Sequence, residues 1–262
     1  MKWNGVVMQY DSIGNMTKKG NTTFTWTQGR KLESVNNGKK IRYYYDHAGN
    51  RVKKTVDNVT TEYCMAGDLL VTEKGEGRRI WYYYDSAANP VSMRVSGKDY
   101  FYVRNLQNDV IALIDDAGET VVEYKYNSWG KILSITGSKA GTIGKINPFR
   151  YRGYYYDEET GMYYLKNRYY DPEIRRFISA DSYISGFNST MCNVFCYCGN
   201  NPVSNSDPEG TFFKQIVHFL KSTWKKRRKR LLRYIILAYK IYGKRIGGKG
   251  IPTNTKRYVF NN

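Results

Sequence analysis

The sequence predicts an all-β protein: a sheet built of repeated hairpins followed by a short, basic, helical C-terminal tail. Three observations predict it. A short motif of an aromatic residue and Asp or Asn recurs along the chain, tyrosine supplies 26 of 262 residues, and the charge divides sharply after residue 210. A repeat of hairpin-sized units marks a sheet built by repetition. Runs of aromatic and β-branched residues between turn signals mark its strands. With 41% hydrophobic and 16% aromatic residues, the chain has the apolar surface for a packed core and is not a disordered polymer.

The repeat comes first along the chain. YDSIGNMTK starts at Tyr10, YDHAGNRVK at Tyr45, YDSAANPVS at Tyr84 and YNSWGKILS at Tyr126, with a degenerate copy, WTQGRKLESV, at Trp26. The clear copies are 35, 39 and 42 residues apart, about twice a 20-residue unit. Each unit reads as a hairpin: runs such as TTFTW (Thr22 to Trp26) and IRYYYD flank the turn signals AGN and NNGK. The Asp of the motif can bond backbone two residues on, and Gly supplies the left-handed conformation. The repeated tyrosines are expected to stack as a cross-strand ladder, serving packing rather than ligand contact.

A longer signature follows. NPFRYRGYYYDEETGMYYLKNRYYDPEIRRFISAD runs from Asn147 to Asp181, and NVFCYCGNNPVSNSDPEG from Asn193 to Gly210. With the repeats, these segments resemble the Rhs repeat-associated core and the YD repeats of Rhs proteins, which are related to teneurin YD shells. The resemblance covers residues 8–210. It divides the chain into YD repeats forming a β-shell (1–146), an Rhs core domain (147–210) and a variable basic C-terminal segment (211–262).

The resemblance implies a sheet coiled into a hollow shell, a core segment that plugs one end, and an effector after the closing DPxG. Such effectors are commonly toxins against competing bacteria. Many members carry an aspartic autoprotease in the core that frees the effector, with one catalytic carboxylate in each of two DPxG elements. Two carboxylates held close cannot both ionise, so one stays protonated as acid while the other activates water. Matched onto this chain, they are Asp181 in RFISAD and Asp207 in SDPEG, and the cleavage region is Gly210, Thr211 and Phe212. Ser182 stands where the family has Pro, and Thr211 where cleaving members carry Leu. The alternative is that Asp207 is a turn residue and Asp181 caps a loop. Asp171, in RYYDP, is a third carboxylate that reads as a turn former.

The tail carries the charge. The chain is +19 overall, but residues 211–262 hold 15 Lys+Arg and no Asp or Glu, leaving a net of +4 on the first 210 residues. Phe212 to Tyr242 reads as helix, ended by Gly243. The run Lys225, Lys226, Arg227, Arg228, Lys229 and Arg230 suits a nucleic-acid backbone through counterion release or an anionic membrane surface. A remnant without activity is the third reading. Without a carboxylate the tail cannot build a metal-dependent nuclease or a glycosidase pair. Its one histidine, His218, excludes a histidine-pair ribonuclease.

The remaining signals are weak. No stretch approaches about 18 apolar residues, so no transmembrane segment is expected, and the first residues lack a signal-peptide core. Export, secreted or to a bacterial surface, would need a signal outside this chain; an orphan fragment would be cytoplasmic. Cys192, Cys196 and Cys198 do not follow zinc spacing. Cys196 and Cys198 are expected on one face of a strand as buried thiols, and neither metal nor cofactor is expected. His47 reads as an exposed turn residue. No Ser-His-Asp order, HExxH, Walker A or GxGxxG element is present.

About 20 strands would make a loop about 30 Å across, against about 26 Å for a compact domain the size of the tail. The cargo barely fits, so the chain is expected to be the C-terminal end of a larger shell, or an orphan piece of one. An immunity protein and the remainder of that shell are the expected partners. The rival reading is a structural or adhesive YD-repeat surface protein that binds carbohydrate or protein and carries an inactive tail.

Overall fold

The computed structural model describes residues 2–181, 193–211 and 214–215. They fall within one compact unit, Met1–Gln215; a second, Ile216–Asn262, lies outside the described residues. So do the basic run 225–230, His218, Phe212 and all but two residues of the helix predicted for 212–242.

The repeats form one antiparallel meander of fifteen strands in sequence order. Its first eight are β1 (Lys2–Trp3), β2 (Val6–Tyr10), β3 (Met16–Lys19), β4 (Thr22–Thr27), β5 (Lys31–Asn36), β6 (Lys40–Tyr45), β7 (Arg51–Val56) and β8 (Val59–Ala66). Then come β9 (Leu69–Gly75), β10 (Arg78–Tyr84), β11 (Pro90–Val95), β12 (Lys98–Arg104), β13 (Val110–Ile114), β14 (Thr120–Tyr126) and β15 (Ile132–Thr136). A short helix, α1 (Ile143–Ile146), leads into a separate four-stranded sheet of β16 (Tyr155–Asp157), β17 (Met162–Leu165), β18 (Arg168–Asp171) and β19 (Arg176–Phe177). The last pair is β20 (Asn205–Ser206) with β21 (Lys214–Gln215). Lys214 and Gln215 are therefore extended, not the start of the helix predicted from Phe212.

Two kinds of turn fold the meander. Tight two-residue links such as Asn4-Gly5, Glu76-Gly77 and Ser96-Gly97 have both residues at positive φ, which matches the twist of the flanking strands. The motif turns are built differently. At Asp11, Asp46, Asp85, Asn105, Asp115 and Asn127 the Asx side chain accepts the N–H four residues on, at 2.8–3.1 Å. The Asx carbonyl accepts the N–H three residues on. That third residue sits at positive φ: Gly14, Gly49, Ala88, Asn108, Gly118 and Gly130. A register shift just before each of these turns re-aims the residue that precedes the Asx.

The motif tyrosines do not make the expected ladder with one another. Tyr45, Tyr84 and Tyr126 each donate a hydroxyl back to a carbonyl, those of Leu32, Leu70 and Val110, at 2.7–2.8 Å. Trp26 does the same with its indole N–H to Met16 O at 2.8 Å, so the degenerate copy keeps the role. A half-buried aromatic with a polar tip covers the sheet and satisfies a backbone group in one residue.

Alternate residues of strands such as β6 and β10 face inward, where the core segment fills the space. Met8, Phe24, Val35, Ile41 and Tyr43 pack with Met162, Tyr169, Ile174 and Ile178. Ile80, Tyr82, Met93, Tyr102, Leu113 and Tyr124 pack with Ile143, Phe149 and Tyr155. Ring pairs cross this boundary, including Tyr43–Tyr169 at 5.3 Å and Tyr82–Phe149 at 5.0 Å. The strip predicted as a single run of about 20 strands is thus a fifteen-stranded sheet whose inner face is covered by the chain's own core segment.

One ion pair locks the two together. Arg51, on β7, places Nη1 2.5 Å from Asp157 Oδ2 on β16, and their side chains are 2% and 0% exposed. Lys54 reaches the other Asp157 oxygen at 3.0 Å and also Glu159. The Arg51 guanidinium is caged by the rings of Tyr43, Tyr63, Tyr155 and Tyr164, 4.5–5.2 Å away. Burial alone would raise the Asp157 carboxyl, but Arg51 and Lys54 hold it below the usual range.

Candidate functional site

The two predicted carboxylates meet at one guanidinium. Arg168 opens β18, just after the Leu165–Arg168 hairpin turn. Its Nη2 lies 2.8 Å from Asp181 Oδ2 and 3.5 Å from Asp207 Oδ2. Nη1 donates to the Val194 carbonyl at 3.1 Å, and Nε donates to the carbonyl of Gly210. The guanidinium lies over the Phe177 ring, 3.6 Å from its centroid, which fixes its plane. Sequence reasoning did not single out Arg168. The signal for it was indirect: two carboxylates drawn together under burial need a cation.

The chain on either side of the Gly210–Thr211 peptide is held by backbone contacts. Asn167 donates its side-chain amide to the Glu209 carbonyl at 3.0 Å, and Arg168 takes the next carbonyl, that of Gly210. The Thr211 N–H donates to Asp207 Oδ1 at 3.0 Å. Gly210 has φ +70°, and an added Cβ would lie 2.9 Å from Leu165 O and 3.2 Å from the Arg168 nitrogen. Both facts require glycine there. Thr211 is held through its backbone N–H, so this contact does not depend on having Leu there.

Asp207 is buried, and the Tyr154 hydroxyl accepts its N–H at 3.0 Å. Burial pushes its carboxyl up and Asp181 adds to this, while Arg168 and the N–H groups of Thr211 and Gly210 oppose the rise. Asp207 thus also does the work of a turn residue, accepting the N–H four residues on. Asp181 is less enclosed, its side chain 14% exposed against 3% for Asp207. The third carboxylate lies elsewhere: Asp171 accepts the N–H groups of Glu173 and Ile174 and pairs with Lys19 at 2.5 Å.

A sequence model of the teneurin YD-shell family matches residues 1–203. The chain belongs to the teneurin YD-shell family. This YD shell is 38% identical over 226 residues to the tRNA3(Ser)-specific nuclease WapA of Bacillus spizizenii, covering 83% of the chain and 10% of that protein. The tRNA nuclease WapA of Bacillus subtilis matches to the same extent. The double-stranded DNA deaminase toxin A of Burkholderia cenocepacia is 38% identical over 96 residues, 37% of the chain and 6% of that protein. The chain therefore spans about a tenth of the length of the WapA relatives. Among solved structures, TcdB2-TccC3-Cdc42 superposes over 77% of the chain and 11% of its own, with TM-score 0.65 and 20% identity. TcdB2-TccC3 without its hypervariable C-terminal region gives TM-score 0.63, also at 20% identity and the same coverage. The fold is that of a toxin-related YD shell.

The other predicted features of the YD shell fall apart in space. Cys196 is half-buried beside a single bridge to Arg176, and Cys198 is buried in a turn at φ +54°. They are not on one face of a strand, because Cys198, Gly199 and Asn200 form a left-handed kink. Cys64 is exposed, and Cys192 lies outside the described residues. His47 is exposed in its turn.

Proposed function

We propose that this chain is the closing end of a toxin-type YD shell that holds a basic C-terminal segment and frees it by cutting itself between Gly210 and Thr211. The observation that carries this reading is the docking of that peptide at the point where Asp181 and Asp207 converge on Arg168. In this reading Asp207, raised by burial and bonded to the Thr211 N–H, gives a proton to the leaving nitrogen. Asp181, more open and nearer the guanidinium, takes a proton from the attacking water. The tail then leaves with Thr211 at its head.

The relatives support the setting. Three of them are named as nucleases or a deaminase acting on tRNA or double-stranded DNA, which favours a nucleic-acid target for the tail over a membrane. A tail with 15 bases and no acids suits a phosphate backbone. The proposed context is bacterial antagonism, with export by a signal outside these residues, a cognate immunity protein and a larger shell continuing from the β1 edge. Purified Asp181→Asn and Asp207→Asn chains test the reading: both should stay whole where the parent chain yields two pieces. Equal cutting in all three would reject it.

One observation favours an adhesive reading instead. On the outer face Tyr83 and Phe101 flank Ser92 in register, with Trp81 beside them, and the three rings are 41–43% exposed. Expressing residues 212–262 alone in bacteria separates the two. Arrested growth supports the toxin reading; full growth at verified expression, with carbohydrate retained by the intact chain, supports the adhesive one.

A further inference from the structure

Resting on the cleavage reading, we propose that Gly14 and Arg30, on two turns of the repeat sheet, are positioning residues for Asp181, so that the cutting site is complete only where the sheet has closed on the core segment. The two carboxylates stand on different supports. Asp207 is held within the core, through the Tyr154 hydroxyl and the Thr211 N–H. Asp181 ends a stretch that runs along the motif turn between β2 and β3. The Met16 N–H donates to the Ile178 carbonyl at 2.8 Å, Asn15 forms a bridge with Ser179, and the Ala180 N–H donates to the Gly14 carbonyl at 3.0 Å. Ile178, Ser179 and Ala180 are buried there.

The peptide group that joins Ala180 to Asp181 is fixed at both of its polar atoms. Arg30 Nη1, 150 residues away in the chain, donates to its oxygen at 2.7 Å. Its N–H donates to the Val194 carbonyl at 2.9 Å, the oxygen that also receives Arg168 Nη1. With that plane set, the Asp181 side chain starts from a fixed point, and its carboxylate lies 2.8 Å from Arg168. Asn15 ties the two turns together. Its side-chain amide donates to Asp11 Oδ2 at 2.9 Å and to the carbonyl of Gly29, next to Arg30, at 2.8 Å.

Gly14 lets the sheet come this close. It has φ +83°, and an added Cβ would lie 2.8 Å from the Ala180 Cβ. Carbon atoms in contact stand about 3.5–4.0 Å apart, so a side chain at Gly14 would push Ala180, and Asp181 with it, by about 1 Å. Misplacing a reacting group by that much costs about 10²-fold in rate.

The test uses the full chain and a matched control. Gly118 fills the same place in its own motif turn, at φ +84°, and an added Cβ there meets nothing within 4 Å. Gly14→Ala and Gly118→Ala therefore share the backbone strain and differ in the contact with Ala180. Intact mass followed over time gives the rate at which the two pieces form. Gly118→Ala should cut at the parent rate and Gly14→Ala about 10²-fold more slowly, with the parent's far-ultraviolet dichroism retained in both. Equal rates in the two variants, slowed or not, would overturn the role of Gly14 and leave the cleavage reading standing. A folded parent that is never cut would remove both.

Arg30 gives a second measurement that does not depend on how Gly14→Ala folds. Arg30→Met removes the charged donor and should slow cutting about tenfold. Arg30→Lys restores a donor and should recover most of the rate. Arg30→Met cutting at the parent rate, or Arg30→Lys as slow as Arg30→Met, would overturn the role of Arg30.

Discussion

Replacing Asp157 with alanine should remove much of the stability of the sheet–core assembly, and the structure sets the magnitude. Among the described residues Asp157 is the one carboxylate in contact with the buried Arg51, at 2.5 Å, and both side chains are at most 2% exposed. Removing one partner of a buried pair leaves a desolvated charge and costs about 3–5 kcal/mol. The tyrosine cage and the Tyr169 hydroxyl, 3.2 Å from Arg51, remain and place the loss towards the lower end of that range. Lys54 keeps Glu159 and adds little. Urea denaturation followed by tryptophan fluorescence gives the loss directly. The double variant Arg51→Met, Asp157→Leu removes both charges and should recover most of it, because well-packed apolar replacements of buried pairs are often neutral. A single variant within about 1 kcal/mol of the parent, or a double variant as weak as the single, would refute the lock; the threshold sits well below the cost of an unpaired buried charge.

Three further outcomes are expected. Tyr84→Phe loses the hydroxyl bond to Leu70 O and should lower stability by about 1 kcal/mol in the same urea assay. Gly210→Ala forces a side chain into a left-handed seat, at about 1–2 kcal/mol from conformation alone, and against Leu165 O. It should slow cutting while leaving the melting temperature of the sheet unchanged, because Gly210 lies outside the fifteen strands. Burial raises the Asp207 carboxyl above the ordinary range, so its acid form is lost only as pH rises through that raised value. The cutting rate should fall on that alkaline limb, and a rate that keeps rising through neutral pH would contradict Asp207 as the acid.

The repeat was legible because its turn chemistry is local. Asp or Asn at the first position and a residue tolerant of positive φ at the fourth are visible in YDSIGN, YDHAGN and YNSWGK. Two further turns, at Asn105 and Asp115, went unread. Arg104 and Ile114 precede them, and the pattern had been keyed to an aromatic there. The aromatic serves a separate purpose, the bond back to a carbonyl, whereas the fold requires only the Asx side chain and the left-handed residue. Asp181 and Asp207 were legible through a resemblance.

The rest depended on contacts between distant positions. Arg51 and Asp157 meet across 106 residues, and Arg168 and Gly210 across 42. No periodicity announces a buried arginine, since its burial is set by the partners that reach it. The cysteines were misplaced for a local reason. CYCG alternates like a strand, but the left-handed run at Cys198 to Asn200 ends the extension.

In the proposed reaction the Gly210–Thr211 bond is cut by the site that holds it. Intact mass and N-terminal sequencing of the purified full chain test this most directly. The expected products are a shell piece ending at Gly210 and a tail piece beginning at Thr211, both absent from the Asp207→Asn chain. A parent chain that stays whole, or a cut at another bond that persists in Asp207→Asn, would contradict it.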